Sequence, residues 1–355
     1  MGIPAGTVPR EGPARDSVET AGVIRVHSRA QAWYGRRTWH WRDWPDGVLL
    51  EGKRRAGARI SVVIPARDEE RTITGVVSSL RAAVMERTPL VDEVVVIDSD
   101  SADGTAAAAA RAGATVHHAR DIAAELGSYP GKGEALWKSL LVTEGDLLVF
   151  IDADLTRWGP HFVAGLLGPL LAEPSVLLVK GFYARVTAGT DGSTSTEGGR
   201  VTELVARPLL GLWWPELSGV IQPLAGEWAA RRELMESLPI PVGYGVELAT
   251  LLDTAARHGL DALAQVDLGS RAHKHQTDHD LALMAAELLM VAERRRPVTR
   301  VAGAEGESEP DGPLLTQFLR EDGQVRPVSR PVPTRERPPV AGLVSGASGG
   351  VGGPR

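Results

Sequence analysis

The sequence predicts an α/β fold built on a mainly parallel sheet, and three observations carry that expectation. Short apolar runs at 60–64, 93–97, 115–118 and 147–151 alternate with helical patterns at 72–85, 105–112 and 134–141. Strands that alternate with helices imply parallel pairing. The first, second and fourth runs end in polar or turn-forming residues: Pro65 to Glu70, Asp98-Ser99-Asp100-Ser101 and Asp152-Ala153-Asp154. Ligands of such sheets bind beyond the carboxyl ends of the strands, so these three ends should line one crevice. The chain has 355 residues, 43% of them apolar, enough for a large core in one or two domains.

In chain order, residues 1–20 read as a disordered tail. Residues 21–59 form an arm with Trp33, Trp39, Trp41 and Trp44. Its indoles are expected to pack against the main body, because aromatic rings bury large areas. Residues 60–155 hold the alternating strands and helices. Residues 156–296 are mixed, with strands at 176–181 and 263–268 and a Gly/Ser/Thr loop at 188–199. Helices are expected there at 201–212, 246–258 and 278–296. The last begins with Asp278 and ends in Arg294-Arg295-Arg296, which suits the helix dipole. Residues 297–355 are rich in Gly, Pro, Ser and Arg and read as largely disordered, above all from 331 onward. No internal repeat is evident.

Composition removes several classes of function. A net charge of −6 argues against general nucleic-acid binding. The absence of cysteine excludes disulfides, thiolate metal sites and cysteine nucleophiles. No apolar segment approaches the roughly 18 residues that span a bilayer. Arg10, Glu11, Arg15, Asp16 and Glu19 leave no room for a signal-peptide apolar region. A cytoplasmic protein with no membrane partner is the expectation.

Six segments carry chemistry. Asp152 and Asp154 stand at i, i+2 after an apolar strand, so both can point to one side and converge on a hard divalent cation. Asp-x-Asp in this setting is the arrangement of nucleotide-sugar glycosyltransferases. Asp98 to Ser101 offers bonds to a base or ribose, and equally a turn and helix cap. Gly131-Lys132-Gly133 opens a helix containing Trp137. A lysine there opposes the macrodipole, and a phosphate between the two would remove the conflict. The Walker pattern is missing, so this is no P-loop. Gly198-Gly199-Arg200-Val201-Thr202 combines close backbone approach, a guanidinium and a hydroxyl, as a second anion site would. Arg271, His273 and His275 share one face if the strand before them continues, which would let a histidine join Asp154 on a metal. Glu247, opening a helix after Tyr244-Gly245, could bind sugar hydroxyls or serve the helix dipole.

In order, these segments resemble the glucosyl-3-phosphoglycerate synthases, a family of retaining GT-A glycosyltransferases. The matching stretches run from Val62-Val63-Ile64-Pro65-Ala66-Arg67-Asp68-Glu69-Glu70, through Asp98 to Asp103, to Gly131-Lys132-Gly133-Glu134-Ala135-Leu136-Trp137. They continue with Asp152-Ala153-Asp154-Leu155, Gly199-Arg200-Val201-Thr202-Glu203-Leu204, Tyr244-Gly245-Val246-Glu247 and Arg271-Ala272-His273. The Gly-Lys-Gly-Glu-Ala-Leu-Trp and Gly-Arg-Val-Thr-Glu-Leu stretches are the family-specific ones. The resemblance covers about residues 30–295.

The resemblance implies a Rossmann-like GT-A fold, with 60–155 as the nucleotide-sugar half and 156–296 as the acceptor half. It places Pro65, Ala66, Arg67, Glu69, Ser99 and Ala153 around the nucleotide, with Lys132 and Arg271 near its phosphates. It gives Asp154 and His273 to Mg²⁺ or Mn²⁺, with Asp152 in support. Gly199, Arg200 and Thr202 would hold the phosphate of 3-phosphoglycerate, and Tyr244, Glu247 and His275 would position sugar or acceptor. Asp152, Asp154, Lys132 and Glu247 form the implied catalytic set. The implied reaction moves glucose from UDP-glucose to the 2-hydroxyl of 3-phosphoglycerate with retention, in a cytoplasmic homodimer, for compatible-solute or methylglucose-polysaccharide synthesis. Arg67 and Asp68 stand where the family carries Leu and Asn, and His275 where it carries Asn. Alternatives are a mannosyl transferase using GDP-mannose, a sugar-phosphate nucleotidyltransferase and a non-catalytic nucleotide-sugar sensor. The nucleotidyltransferase lacks its glycine-rich signature here, and a processive polysaccharide synthase would need transmembrane helices.

Overall fold

The computed structural model describes residues 27–188, 194–195, 199–272, 278–296, 314–321, 324–331 and 333–342. The strands are β1 Thr38–His40, β2 Ile60–Ala66, β3 Glu93–Asp98, β4 Thr115–His118, β5 Leu147–Phe150, β6 Leu178–Ala188, β7 Thr194–Ser195, β8 Trp228–Arg231, β9 Ile240–Pro241, β10 Leu263–Ala272, β11 Leu314–Glu321, β12 Gln324–Pro331 and β13 Glu336–Arg337. The helices are α1 Ser28–Arg37, α2 Asp46–Ala56, α3 Glu70–Leu80, α4 Thr105–Arg111, α5 Lys132–Ser139, α6 His161–Ala172, α7 Arg207–Trp213, α8 Arg232–Ser237, α9 Val246–His258 and α10 Asp278–Arg295.

One sheet organises the molecule, in the order β1-β10-β6-β8-β5-β2-β3-β4, with β7 against β6. β8 runs antiparallel to both β5 and β6. Every other neighbouring pair along that path is parallel. The reversal matters for function. It brings the amino end of β8 to the edge where β2, β3, β5, β6 and β10 all finish. That edge collects residues from six strands, as the crevice expected from the sequence requires.

Helices cover both faces, so the central strands are buried on both sides and read as continuous apolar runs. One core holds Val63, Phe150, Leu178, Trp228 and Trp137. The other holds Val62, Val149, Val179, Phe162 and Val266. Neighbouring residues of one strand enter opposite cores, the two-residue period of a pleated sheet. α3 ends at Leu80 and continues as a π-helical turn, Arg81–Arg87, which accounts for the longer helix expected over 72–85.

The Trp-rich arm packs as expected and is more regular than a packing arm requires. It folds as α1, β1 and α2, with β1 as an edge strand on β10. Trp33 is buried, and its Nε1 donates to Leu263 O at 3.0 Å. β8 was not legible: Trp228-Ala229-Ala230-Arg231 shows no alternation because its side chains are covered on both faces.

The C-terminal segment corrects an expectation. Residues 314–331 form the β11–β12 hairpin, and β13 pairs with β9. Arg337 donates to Glu134 through Nε at 2.9 Å and NH2 at 2.7 Å, and to the carbonyls of Leu126 and Gly127. Its guanidinium stacks over Tyr129 and Trp137, and Trp137 Nε1 donates to Pro338 O. Low apolar content suggested disorder, but Arg337 with its buried carboxylate partner and two aromatic faces, the β13–β9 pairing and the Arg295–Glu336 ion pair dock 333–342. Arg337→Ala would leave Glu134 buried with only Lys138 at 3.5 Å and the Tyr129 amide at 3.4 Å. Breaking a buried pair costs about 3–5 kcal/mol, so the melting temperature should fall by on the order of 5–10 °C. An unchanged melting curve would show that the segment adds nothing.

Candidate active site

The site is assembled at the strand edge around Asp152. Asp152 and Asp154 follow β5, Lys132 opens α5, Glu247 lies in the first turn of α9, Arg271 nearly ends β10, and Glu227 immediately precedes β8. Lys132 Nζ lies 2.6 Å from Asp152 Oδ1 and 2.7 Å from Glu247 Oε1. Arg271 NH2 lies 3.2 Å from both Asp152 Oδ2 and Asp154 Oδ1. Arg271 NH1 donates to Glu227 at 2.6 and 2.7 Å and to Tyr183 Oη at 2.7 Å. One aspartate thus bridges the two cations.

Local sequence explains how these groups meet. A Cβ at Gly133 would collide with the carbonyl of Pro241, and one at Gly226 with the Asp152 carboxylate. Glycine at both places lets α5 and the start of β8 close on the centre. The amides of Gly133 and Glu134 donate to the carbonyls of Gly243 and Val242, which ties α5 to the turn before α9. The lysine at the N-terminus of α5 is therefore not in conflict with its dipole. Two carboxylates neutralise it without a phosphate.

The electrostatics are those of a negative centre. Fully ionised, Asp152, Asp154, Glu227 and Glu247 face two permanent cations, Lys132 and Arg271, which leaves two negative charges. Burial and the neighbouring Asp152 raise Asp154, while Arg271 only partly offsets them. Burial opposes ionisation of Asp152, but Lys132 and Arg271 outweigh it and hold its carboxyl below the usual range. Burial likewise opposes the charge on Lys132, yet Asp152 and Glu247 keep it above the ordinary lysine value. Glu227, fully buried, is raised by its burial despite Arg271. Asp154, half-buried and raised beside a net negative charge, is a donor that a divalent cation would relieve.

The ends of β2 and β3 are tied together just as closely. Ser99 N–H donates to Ala66 O at 2.8 Å, joining the ends of β2 and β3. Asp68 N–H donates to Ser101 Oγ, and Ala102 N–H to Asp68 Oδ1 at 2.7 Å. Asp68 has φ of 56°, a left-handed conformation that Asp and Asn tolerate best, so aspartate preserves the turn an asparagine would make. Glu69 N–H donates to Thr105 Oγ1 at 2.8 Å, and Glu69 also bears electrostatically on Asp154. Pro65 and Ala66 end β2, Ala153 is buried between the two aspartates, and Arg67 is exposed on the rim.

Not every expected residue joins this centre. His273 and His275 lie outside the described residues, and among the described residues no group of three or more His, Asp or Glu forms a ready metal cluster. Gly199 and Arg200 lead into the π-helical turn Thr202–Ala206, with Gly199 O accepting from Glu203 N–H at 3.0 Å. Thr202 is buried and Arg200 exposed. Tyr244 is half exposed, and partial burial raises its phenol while Lys132 pulls it the other way.

Asp98, in the segment expected to meet a base or ribose, is buried at the end of β3, with Oδ2 accepting from Ser101 N–H and Oδ1 lacking a partner. Sequence reasoning missed three groups. Glu227 and Tyr183 hold Arg271. Lys180 lies buried in β6, donates to Ala225 O at 2.8 Å and stacks on Trp228. The one usable signal was the lone lysine inside the apolar run 176–181. Burial pushes Lys180 down to about 7, although Glu247 pulls the other way. Between about pH 7 and 10.5 the unfolded chain therefore holds a proton that the folded chain has released, so stability climbs with pH across that window. Denaturant titrations should show this rise in the wild type and a flatter profile for Lys180→Met. Parallel profiles would mean that Lys180 stays charged in the fold.

Comparison with known proteins agrees with the geometry. Residues 61–221 match the family Glycosyl transferase family 2. The glucosyl-3-phosphoglycerate synthase of Petrotoga mobilis is 48% identical over 247 residues, 70% of this chain and 76% of that protein. The crystal structure of the Mycobacterium tuberculosis glucosyl-3-phosphoglycerate synthase with Mn²⁺, UDP-glucose and phosphoglyceric acid superposes with a TM-score of 0.73 at 44% identity, covering 84% of this chain and 95% of that one. The mannosyl-3-phosphoglycerate synthase of Rubrobacter xylanophilus gives a TM-score of 0.79 at 36% identity, covering 88% and 98%.

Proposed function

The chain belongs to the glucosyl-3-phosphoglycerate synthase family, and from that premise we propose that it transfers glucose from UDP-glucose to the 2-hydroxyl of 3-phosphoglycerate with retention of configuration. The observation that carries this reading is the Lys132–Asp152–Arg271–Asp154 cluster at the carboxyl edge of the sheet. It combines a carboxylate able to hold a cation with a buried arginine and a half-buried lysine suited to a departing diphosphate.

The donor's uridine lies along Pro65, Ala66, Arg67, Glu69 and Ser99, with Ala153 beneath it. The unpartnered Oδ1 of Asp98 is the acceptor that a base N–H would fill. Asp154, with His273, would hold Mg²⁺ or Mn²⁺, which supplies Lewis-acid neutralisation of the leaving UDP. Lys132 stays protonated between Asp152 and Glu247 and so presents a fixed positive charge to the donor phosphates. Arg271, oriented by Glu227 and Tyr183, adds a second. Gly199, Arg200 and Thr202 receive the acceptor phosphate, and Tyr244, Glu247 and His275 orient sugar and acceptor. Glu247 is occupied by its ion pair with Lys132, and Asp152 and Asp154 by theirs with Arg271, so among the described residues of the cluster no unpaired carboxylate offers itself as a nucleophile. A front-face transfer, in which the leaving phosphate takes the acceptor proton, fits that arrangement. A homodimer and a cytoplasmic setting complete the reading. No helix among the described residues is long and apolar enough to cross a membrane.

A second reading has one observation in its favour: the higher TM-score belongs to a mannosyl synthase. Overall superposition reports the placement of elements, whereas sugar choice resides in a few side chains, and identity is higher to the glucosyl enzyme. A matrix of UDP- and GDP-sugars against phosphoglycerates, with and without chelator, tests both readings. The highest kcat/KM is expected for UDP-glucose with 3-phosphoglycerate, and it should vanish in chelator. A preference for GDP-mannose would replace the donor assignment, and full activity in chelator would remove the metal.

A further inference from the structure

Glu287 has no place in the chemistry above, yet it reaches the site. It lies in α10, buried to 4% exposure, and its Oε2 accepts the backbone N–H of Tyr244 at 2.5 Å. The contact is tightly built. A Cβ at Gly243 would strike the Glu287 carboxylate, and one at Gly245 would strike Val291 of the same helix. Glycines on both sides of Tyr244 thus seat the turn flush on α10. Tyr244 heads the turn that delivers Glu247 to Lys132, and α10 begins directly after 273–277, the stretch that carries His273 and His275.

We propose that Glu287 is a positioning residue for the substrate side of the site: its carboxyl group holds the Tyr244 amide, and with it the Tyr244 and Glu247 side chains, where they meet sugar and acceptor. The inference rests on the proposed function for the identity of those substrates. The nucleotide side feels this bond only through Glu247, because Lys132 keeps its pair with Asp152 and α5 keeps its own two bonds to the carbonyls of Val242 and Gly243. Burial, reinforced by Glu247 and eased by the Tyr244 amide, pushes Glu287 up to about 7. The group thus shares a proton near neutrality, and a glutamine, neutral but with the same carbonyl acceptor, is a close substitute there.

The test compares Glu287→Ala and Glu287→Gln in the full chain. For the alanine variant, kcat/KM for 3-phosphoglycerate should fall about tenfold, the lower range for a charge-assisted bond, while the calorimetric Kd for UDP changes less than about twofold. The glutamine variant should recover most of the loss. Hydrogen exchange at the Tyr244 amide should quicken in the alanine variant and stay slow in the glutamine variant. If alanine prevents folding, Glu287→Asp, which withdraws the carboxylate by one methylene, carries the same expectation. Equal losses in acceptor and UDP binding, a glutamine variant as impaired as alanine, or unchanged exchange at Tyr244 would overturn the proposal. Failure of the proposed function is a separate result: the wild type would not turn over these substrates, and the exchange measurement would still decide the role of Glu287.

Discussion

The double engagement of Asp152, with Lys132 on one oxygen and Arg271 on the other, is the constraint on which the site depends. Two cations this close repel each other, and burial magnifies the repulsion. A shared carboxylate makes the arrangement stable, and Glu247 and Glu227 complete it from the outer sides. Each partner comes from a different part of the chain. The cluster therefore fixes the relation of α5, α9, β5, β8 and β10.

The same balance explains why the site has chemical potential. Carboxylates outnumber cations, and the surplus falls on Asp154, the member with the weakest cationic support and a raised carboxyl. Buried ionic groups gain little for stability against apolar substitutes, so their presence here points to function.

Much of this was legible in the sequence, and the reasons are particular. β2 to β5 and α9 announced themselves by uninterrupted apolar runs or helical periodicity, and Asp152, Asp154, Lys132 and Arg271 by their place at element ends. The family resemblance was borne out by the comparisons. β8 was hidden because a doubly covered strand of four residues has no period to read. Glu227 was hidden with it, since only the pairing of β8 with β5 and β6 brings that carboxylate to Arg271. The docking of 333–342 was illegible because it rests on Arg337 meeting Glu134 across the chain, a contact that composition does not record. Glu287 is one of two glutamates on its helix, and only the packing of α10 on the Gly243-Tyr244-Gly245 turn distinguishes it.

Asp154 carries negative charge that Arg271 relieves only in part and that a divalent cation would satisfy. Asp154→Asn separates that claim from a merely structural role. Removing a carboxylate whose ionisation the fold disfavours should raise the melting temperature of the metal-free protein at neutral pH. The same change should weaken calorimetric Mn²⁺ binding in the presence of UDP by at least about tenfold, as loss of a charged ligand group does. A variant that melts lower than wild type and binds Mn²⁺ equally well would contradict the account.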